Sequence, residues 1–138
     1  MVYIPPHVIA QVLSYAAMIK LSLAKNFGLN TFQLLAVVLV GTTRGLSMKE
    51  LKSKLSIPGS TLTSTLDSLE RKKLMKRQRN KEDRRQWLLS LSAKGERLYA
   101  EILRAEGEAM SPALERLSES ERVALIKLAE EISKSASE

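Results

Sequence analysis

The sequence predicts a mainly α-helical protein with one small β-hairpin. Apolar residues recur three and four positions apart over most of the chain, which is the spacing of amphipathic helices. Between residues 75 and 91 the period shortens to two on either side of the polar stretch "NKEDRR", which indicates two strands and a charged turn. With 44% hydrophobic residues among 138, the chain can bury a core, and its length fits one domain with helical extensions.

Capping residues and turn signals predict the first four helices. A first helix covers residues 8–25, because two prolines precede it and the glycine of "NFGLN" ends it. A second runs from 31 to 42 with Asn30 as its N-cap, and "SMKE" at 47–50 is a capping box for a short third helix. Pro58 suits the first turn of a fourth helix, which buries leucines on one side. Its other side carries short polar residues: Ser60, Thr61, Thr63, Ser64, Asp67 and Ser68.

Two short helices joined by a tight turn, the second polar on its outer side, are typical of a helix-turn-helix. The hairpin follows directly, so the unit is a winged helix. Ser92 is the expected cap of a fifth helix that Pro112 is expected to break, and "SESE" at 118–121 opens a sixth. The helices outside the winged unit have more apolar surface than one small domain covers, which favours a dimer. The residues expected in dimer contacts are Leu13, Leu98, Ile102, Leu125 and Ile132.

The formal net charge of +7 is confined to one segment. Residues 71–85 contain nine basic and two acidic side chains, whereas the rest of the chain carries equal numbers of each. A solvated basic face is one explanation of a charge run. Such complete segregation instead favours a polyanion as partner, with nucleic acid the commonest candidate.

Several other classes of protein find no support in the sequence. There is no cysteine, and the single histidine, His7, rules out a histidine cluster, so we expect neither a metal site nor a cofactor. No nucleophile-base constellation, glycine-rich phosphate loop or H-E-x-x-H motif indicates an enzyme. The longest uninterrupted apolar run, "LLAVVLVG" at 34–41, is too short for a membrane span, and no signal peptide is evident. We therefore expect a cytoplasmic protein with no membrane partner.

The stretch "LERKKLMKRQRNKEDRRQWLLSLSAKGERL" resembles the MarR (multiple antibiotic resistance regulator) family of winged-helix transcription regulators. It is similar to the family's helix end, basic strand, Asp-x-Arg wing, apolar strand and Ser/Thr-x-x-Gly helix start, in that order. The resemblance implies a homodimeric regulator, usually a repressor, often released by a small anionic or aromatic effector. It places Ser60, Thr61, Thr63, Ser64 and Ser68 on a recognition helix in the major groove. The wing residues that it implies are Arg77, Arg79, Lys81, Asp83, Arg84 and Arg85, with Asp83 holding the minor-groove Arg85.

The same resemblance implies a division of the chain. Residues 1–30 and 93–138 would form a helical dimerisation region, and 31–92 the DNA-binding domain, with the helix-turn-helix at about 47–72 and the wing at about 74–92. The chain departs from the family pattern at two positions. Ser64 stands where a basic residue is usual, which would weaken direct base readout, and Lys73 stands where a glycine usually ends the recognition helix.

Three residues have two interpretations each. Trp87 is expected to pack in the core rather than to stack on a ligand, and His7 is expected to be an ordinary terminal residue rather than a pH switch. Tyr15 fits either an effector cleft or a dimer contact. Two other functions are also open: an architectural protein that coats DNA with little base readout, and a winged-helix module that binds protein. The second of these would not need the charge cluster.

Overall fold

The structure is a computed structural model that describes residues 1–136, in which six helices accompany one two-stranded antiparallel sheet. The helices are α1 Pro6–Asn26, α2 Thr31–Thr42, α3 Met48–Leu55, α4 Gly59–Arg71, α5 Ala93–Leu114 and α6 Glu119–Ser135, and the strands are β1 Met75–Arg79 and β2 Trp87–Leu91. This order confirms the predicted fold class, a mainly helical chain with a helix-turn-helix and a wing. The last two residues of the predicted 93–138 region lie outside the described residues.

The helix starts follow the predicted capping residues. Asn30 and Gln33 exchange reciprocal bonds, since each side-chain oxygen accepts from the other's main-chain N–H at 2.9 Å. Ser118 caps α6 in the same way with Glu121, and the Ser92 hydroxyl accepts from the amide of Gly95 at 3.0 Å. Each contact satisfies a main-chain donor that the first turn of a helix would leave unpaired.

Pro112 does not break α5, contrary to the sequence-based expectation, since the helix continues to Leu114. A proline removes only its own amide donor and disturbs the turn before it. Pro112 is two residues before the last residue of α5, so very little of the helix follows it. Pro58 also differs slightly from the prediction, because it is the N-cap residue of α4 rather than part of its first turn.

The core of the winged unit is made mostly of leucines from α2, α3, α4 and the hairpin. Leu34, Leu51 and Leu66 have no exposed surface. Ile102 of α5 is likewise fully buried within its own chain, so its predicted place in a dimer contact is wrong. Leu98, one turn earlier, is half-buried and packs against the same core.

A glycine allows α5 to pack closely on the hairpin. A Cβ atom at Gly95 would lie 2.0 Å from the main-chain oxygen of Leu74 and 3.2 Å from the Cβ of Leu91. No side chain fits in that space, so the glycine in "SAKG" is a packing requirement. The contact fixes the start of α5 against the base of the wing.

The helix α1 buries little of its apolar surface. Only Leu23 and Ala24 are buried in it, whereas Leu13 is 64% exposed. By length and composition alone, α1 is also apolar and long enough to cross a membrane. The sequence-based expectation of no membrane partner was based only on uninterrupted apolar runs, and α1 is not one of them.

The described chain divides into two compact units, Met1–Glu106 and a second that begins at Gly107. The second unit contains the end of α5 and the whole of α6, and no residue of α6 is buried. Leu125 and Ile132, both predicted at a dimer contact, are 42% and 58% exposed. The boundary at Gly107 differs from the predicted functional boundaries at residues 30 and 92, whose functional meaning stays a prediction.

Candidate DNA-binding surface

The helix-turn-helix is formed by α3, a three-residue turn and α4. Ser47 caps α3, since its hydroxyl accepts from the amide of Glu50 at 3.1 Å. Ser56 takes a left-handed conformation, with φ of 51°, and so reverses the chain after α3. Ile57 then returns to the core, where it is 8% exposed. After this turn the buried face of α4 lies against α2, and its polar face is exposed.

The outer face of α4 carries three exposed hydroxyl residues, Ser60, Thr63 and Ser64. The Thr63 hydroxyl donates to the main-chain oxygen of Gly59 at 2.9 Å, and its oxygen can still accept hydrogen bonds. Thr61 is half-buried at the edge of this face. Short side chains allow the helix backbone to come close to a ligand groove.

Ser68 does not belong to this exposed face. The amide nitrogen Nε2 of Gln33 donates to its hydroxyl at 2.8 Å, and the contact is partly buried. Gln33 itself is 8% exposed, so the bond satisfies a buried amide and joins α2 to α4. Ser68 therefore has a structural role, and its predicted DNA contact stays a prediction.

The start of α4 has a basic neighbour that the sequence analysis did not single out. The Nζ atom of Lys52, on α3, lies 3.8 Å from the position that a Cβ of Gly59 would occupy. Pro58 offers no side-chain cap, and free amides at a helix start favour an anion. The sequence signal for this residue was the three lysines of "MKELKSK", which have a net charge of +2 with Glu50 and lie outside the basic segment 71–85.

The end of α4 is closed by Lys73 in the left-handed region, with φ of 60°. The amide of Leu74 donates to Leu69 O at 3.0 Å and that of Lys73 to Glu70 O at 2.9 Å, which is the bond pattern of a Schellman motif. Lys73 therefore adopts the left-handed conformation that the glycine usual at this position would adopt, and a lysine in that conformation costs about 1 kcal/mol.

The wing is the hairpin of β1 and β2, whose register pairs Met75 with Leu91 and Arg79 with Trp87. An isolated bridge between Ser47 and Leu88 attaches it to the start of α3. At the tip, the amide of Asn80 donates to the main-chain oxygen of Gln86 at 3.0 Å. The tip is therefore an ordered loop built on the two strands.

Asp83 and Arg85 form the predicted pair at this tip. Oδ1 of Asp83 accepts from both the main-chain N and the Nε of Arg85, each at 3.1 Å, and Oδ2 accepts from Nη2 at 3.4 Å. These bonds from the Arg85 side chain and amide lower the pKa of Asp83 below its usual value. The Arg85 side chain is 91% exposed, so the carboxylate holds a guanidinium that projects into solvent.

Arg79 lies over the indole of Trp87, with its Cζ 4.2 Å from the ring centroid. Trp87 is 37% exposed, so the expectation that it packs in the core is wrong; its ring lies on the outer side of the strand beneath an arginine. Arg79 also lines an open concavity with three neighbouring wing residues, Asn80, Lys81 and Arg84. Three cations thus converge near the tip of the wing.

Arg77 was predicted to contact DNA, but its guanidinium is directed back onto α4. Its Nη2 lies 2.9 Å from both Asp67 Oδ1 and Glu70 Oε2, and its side chain is only 25% exposed. The hydrogen bonds and charge of Glu70 raise the pKa of Arg77, with Asp67 adding to the effect. Arg77 is therefore a brace between the wing and the recognition helix. The acidic pair on α4, one turn apart, was the sequence signal for it.

These elements define a winged helix-turn-helix protein with further helices at both ends. The MarR family model matches residues 29–87, from the α1–α2 turn to the start of β2. That match covers less than half of the chain, so residues 29–87 are similar to the MarR family, and the solved structures below share the fold of the whole chain. The family's members are transcription regulators, in agreement with the prediction that the chain is not an enzyme. A comparison with curated proteins found no match.

Three solved structures illustrate the likeness of fold. A mutant of MepR from a multidrug-resistant S. aureus clinical isolate has a TM-score of 0.81 at 20% identity, over 98% of this chain and 99% of that one. MarR from E. coli in its apo form has a TM-score of 0.73 at 22% identity, over 95% and 98%. A MarR-family regulator from Listeria monocytogenes, complexed with a 26mer DNA, has a TM-score of 0.74 at 21% identity, over 98% and 89%.

Proposed function

We propose that the protein is a homodimeric transcription regulator, of the repressor type, that binds specific double-stranded DNA sequences. The observation that carries this proposal is the wing tip, where Asp83 binds the guanidinium of the solvent-exposed Arg85. A carboxylate near a polyanion is repelled, so its presence there is explained if it orients the arginine. The Listeria relative in complex with DNA supports the same use of the fold.

In this proposal the exposed hydroxyl face of α4 enters a major groove. Ser60, Thr63 and Ser64 would contact base edges and phosphates there, and Lys52 would bind a phosphate at the start of the helix. The wing would place Arg85 in an adjacent minor groove, where negative potential is focused and narrow A·T tracts favour an inserted guanidinium. Arg79, Lys81 and Arg84 would bind the flanking backbone.

The second copy would cover the apolar residues of the terminal helices. Leu13 in α1 and Leu125 and Ile132 in α6 are exposed in the described chain, and water contact at such side chains is unfavourable. We therefore assign residues 1–30 and 93–138 to dimerisation and 31–92 to DNA binding. A two-fold dimer would present two recognition helices to half-sites about one helical turn apart.

Regulation would come from a small anionic or aromatic effector that releases the DNA. The chain has no cysteine, so oxidation of a thiol cannot be the signal. Peroxide at doses that leave the methionines intact should therefore not release DNA. A regulator of this kind acts on DNA, which lies in the cytoplasm of a cell without a nucleus. We therefore propose that the protein is cytoplasmic in such a cell.

An architectural role with little base readout is the second candidate, because one observation favours it. The first two turns of the exposed face of α4 offer Ser64 and other small hydroxyl groups, and the one arginine of the helix, Arg71, stands at its last residue. Such a protein would depend on phosphate contacts and on the shape of the DNA.

Selection of bound sites from a random DNA library separates the two functions. A specific dimeric regulator should enrich an inverted repeat with half-sites 10 to 11 base pairs apart, on the order of one helical turn. The selected site should then compete at least about a thousandfold better than random DNA at fixed salt. No enrichment, together with equal competition by random DNA, would support the architectural role instead.

A further inference from the structure

The wing carries an exposed tryptophan whose ring contacts a cation. Trp87 is 37% exposed, although Leu89 and Leu91 of the same strand are buried. It pairs directly with Arg79 across the hairpin, and Cζ of Arg79 lies 4.2 Å from the centroid of the indole ring. Side chains that are directly opposed on neighbouring strands lie on one face of the sheet, close enough to interact. The register of the hairpin therefore brings this ring and this guanidinium together.

A second contact fixes the guanidinium of Arg79. Its Nη1 donates to the main-chain oxygen of Arg84 at 2.5 Å, so the side chain reaches from the end of β1 to the residue before Arg85. Asn80 also closes this loop, since its Nδ2 donates to Oε1 of Gln86 at 3.0 Å. A long basic side chain loses rotamer freedom when it binds a ligand, and one that is already held loses less. Arg79 is thus ordered before any partner arrives.

The guanidinium of Arg79 lies at an open concavity without an acidic lining residue. The described residues that line it are Arg79, Asn80, Lys81 and Arg84, and neither Glu82 nor Asp83 of the same loop is among them. A guanidinium has five N–H donors in one plane, and the bond to Arg84 uses one of them. The other donors can bind a phosphate oxygen at the edge of the group while its face stays on the indole.

We propose that Trp87 is a positioning residue for DNA binding, whose indole holds Arg79 in the orientation in which its guanidinium binds one backbone phosphate beside the wing. Arg79 in turn holds the loop through the main-chain oxygen of Arg84, next to the Arg85 proposed for the minor groove. Trp87 itself needs no contact with DNA. This proposal rests on the proposed function, to which it adds a residue outside the predicted wing set.

An aromatic ring suits this purpose better than another apolar side chain. The face of an indole carries negative potential and attracts a cation, and tryptophan does so more strongly than tyrosine or phenylalanine. A leucine at position 87 would cover part of the same surface without attracting the charge. Loss of the ring should therefore weaken DNA binding about twofold to fivefold, which is the effect of an exposed cation–π contact.

The first test is a double-mutant cycle on the affinity for a selected DNA site, with the fold of each variant checked by circular dichroism. Trp87→Leu should weaken binding about twofold to fivefold, and Trp87→Phe, which keeps an aromatic face, should weaken it less. In an Arg79→Ala background Trp87→Leu should have no further effect, because the group that it positions is absent. In an Arg84→Ala background it should keep its full effect, because Arg84 lines the same concavity and its main-chain oxygen remains.

A salt titration of the same variants separates positioning from phosphate contact. Arg79→Ala should lower the salt slope by about one, because one phosphate contact is lost. Trp87→Leu should keep the slope of the parent, because Arg79 still reaches the phosphate and only its ordering before binding is lost.

The contact between the two side chains can be tested without DNA, because Trp87 is the only tryptophan of the chain. Acrylamide should quench its fluorescence more strongly in Arg79→Ala than in the parent, since the guanidinium no longer covers the ring. Lys81→Ala is the matched control. It removes a cation of the same concavity from a side chain that does not cover the ring, so the quenching should not change.

Each part of the proposal has a result that would overturn it. Equal quenching in the parent and in Arg79→Ala would show that the ring is not covered in solution. Trp87→Leu with the affinity of the parent would remove the positioning role, and equal weakening with and without Arg79 would make Trp87 a residue of the wing's fold alone. An unchanged salt slope in Arg79→Ala would remove the phosphate contact. A parent that binds no DNA would refute the proposed function and that contact with it, while quenching would still decide whether Trp87 holds Arg79.

Discussion

Replacement of Asp83 by alanine should weaken DNA binding although it removes a negative charge. Asp83 receives three hydrogen bonds from Arg85, two of them from the guanidinium, and that guanidinium is otherwise surrounded by solvent. Without the carboxylate, the arginine samples its free rotamers and must be ordered when DNA binds. Ordering a long basic side chain costs conformational entropy, so the affinity for DNA should fall about threefold to thirtyfold. Simple electrostatics predicts the opposite sign.

The control is Glu82→Ala, which removes the same charge from the neighbouring position. Glu82 forms no ion pair within residues 1–136, so its removal should leave DNA affinity unchanged or raise it slightly. Arg85→Ala should cost about 1–3 kcal/mol of binding and lower the salt slope by about one. Asp83→Ala should keep the parent's salt slope, because the number of phosphate contacts is the same.

The assay is a salt titration of DNA affinity by fluorescence anisotropy, after the oligomeric state and fold of each variant have been checked. Because the hydrogen bonds from Arg85 lower the pKa of Asp83 below its usual value, the carboxylate is ionised at neutral pH, and the effect should not vary with pH around neutrality. If Asp83→Ala binds DNA as tightly as Glu82→Ala, the pair is an ordinary surface ion pair. The wing would then be only a basic patch.

Three further predictions concern stability and assembly. Gly95→Ala should lower the free energy of unfolding by about 3 kcal/mol or prevent folding, because the added Cβ would meet Leu74 O. On the same helix, a Cβ at Gly107 meets nothing within 4 Å. Gly107→Ala should therefore raise the free energy of unfolding by about 0.5–1 kcal/mol. Urea titrations of the two variants decide this, and equal effects would contradict it. Lys73→Gly should raise stability by about 1 kcal/mol in the same assay, because glycine accepts the positive φ without strain; a loss would show that the lysine side chain contributes more than the strain costs. Leu13→Glu should dissociate or aggregate the proposed dimer in analytical ultracentrifugation, and a sample that stays fully dimeric would remove Leu13 from the proposed interface.

The sequence by itself determined the features that depend on neighbours along the chain. Helix starts are local, so Asn30 and Ser92 could be read as caps without knowledge of the fold. The same holds for the hairpin, whose period of two is visible in the sequence, and for Asp83 and Arg85, which are two residues apart. The net charge of residues 71–85 can be counted from the sequence and does not depend on the structure.

The tertiary structure decided which partner each side chain meets, because periodicity shows that a face is apolar or polar but not what lies opposite it. Arg77 and Arg85 are alike in the sequence, yet packing of β1 beside α4 turns one onto Asp67 and Glu70 and leaves the other in solvent. Ile102 has the spacing of an interface residue and is instead enclosed by its own chain. A cavity lined by Lys72 and Lys94 is formed by three separate segments, and no local pattern records that they meet.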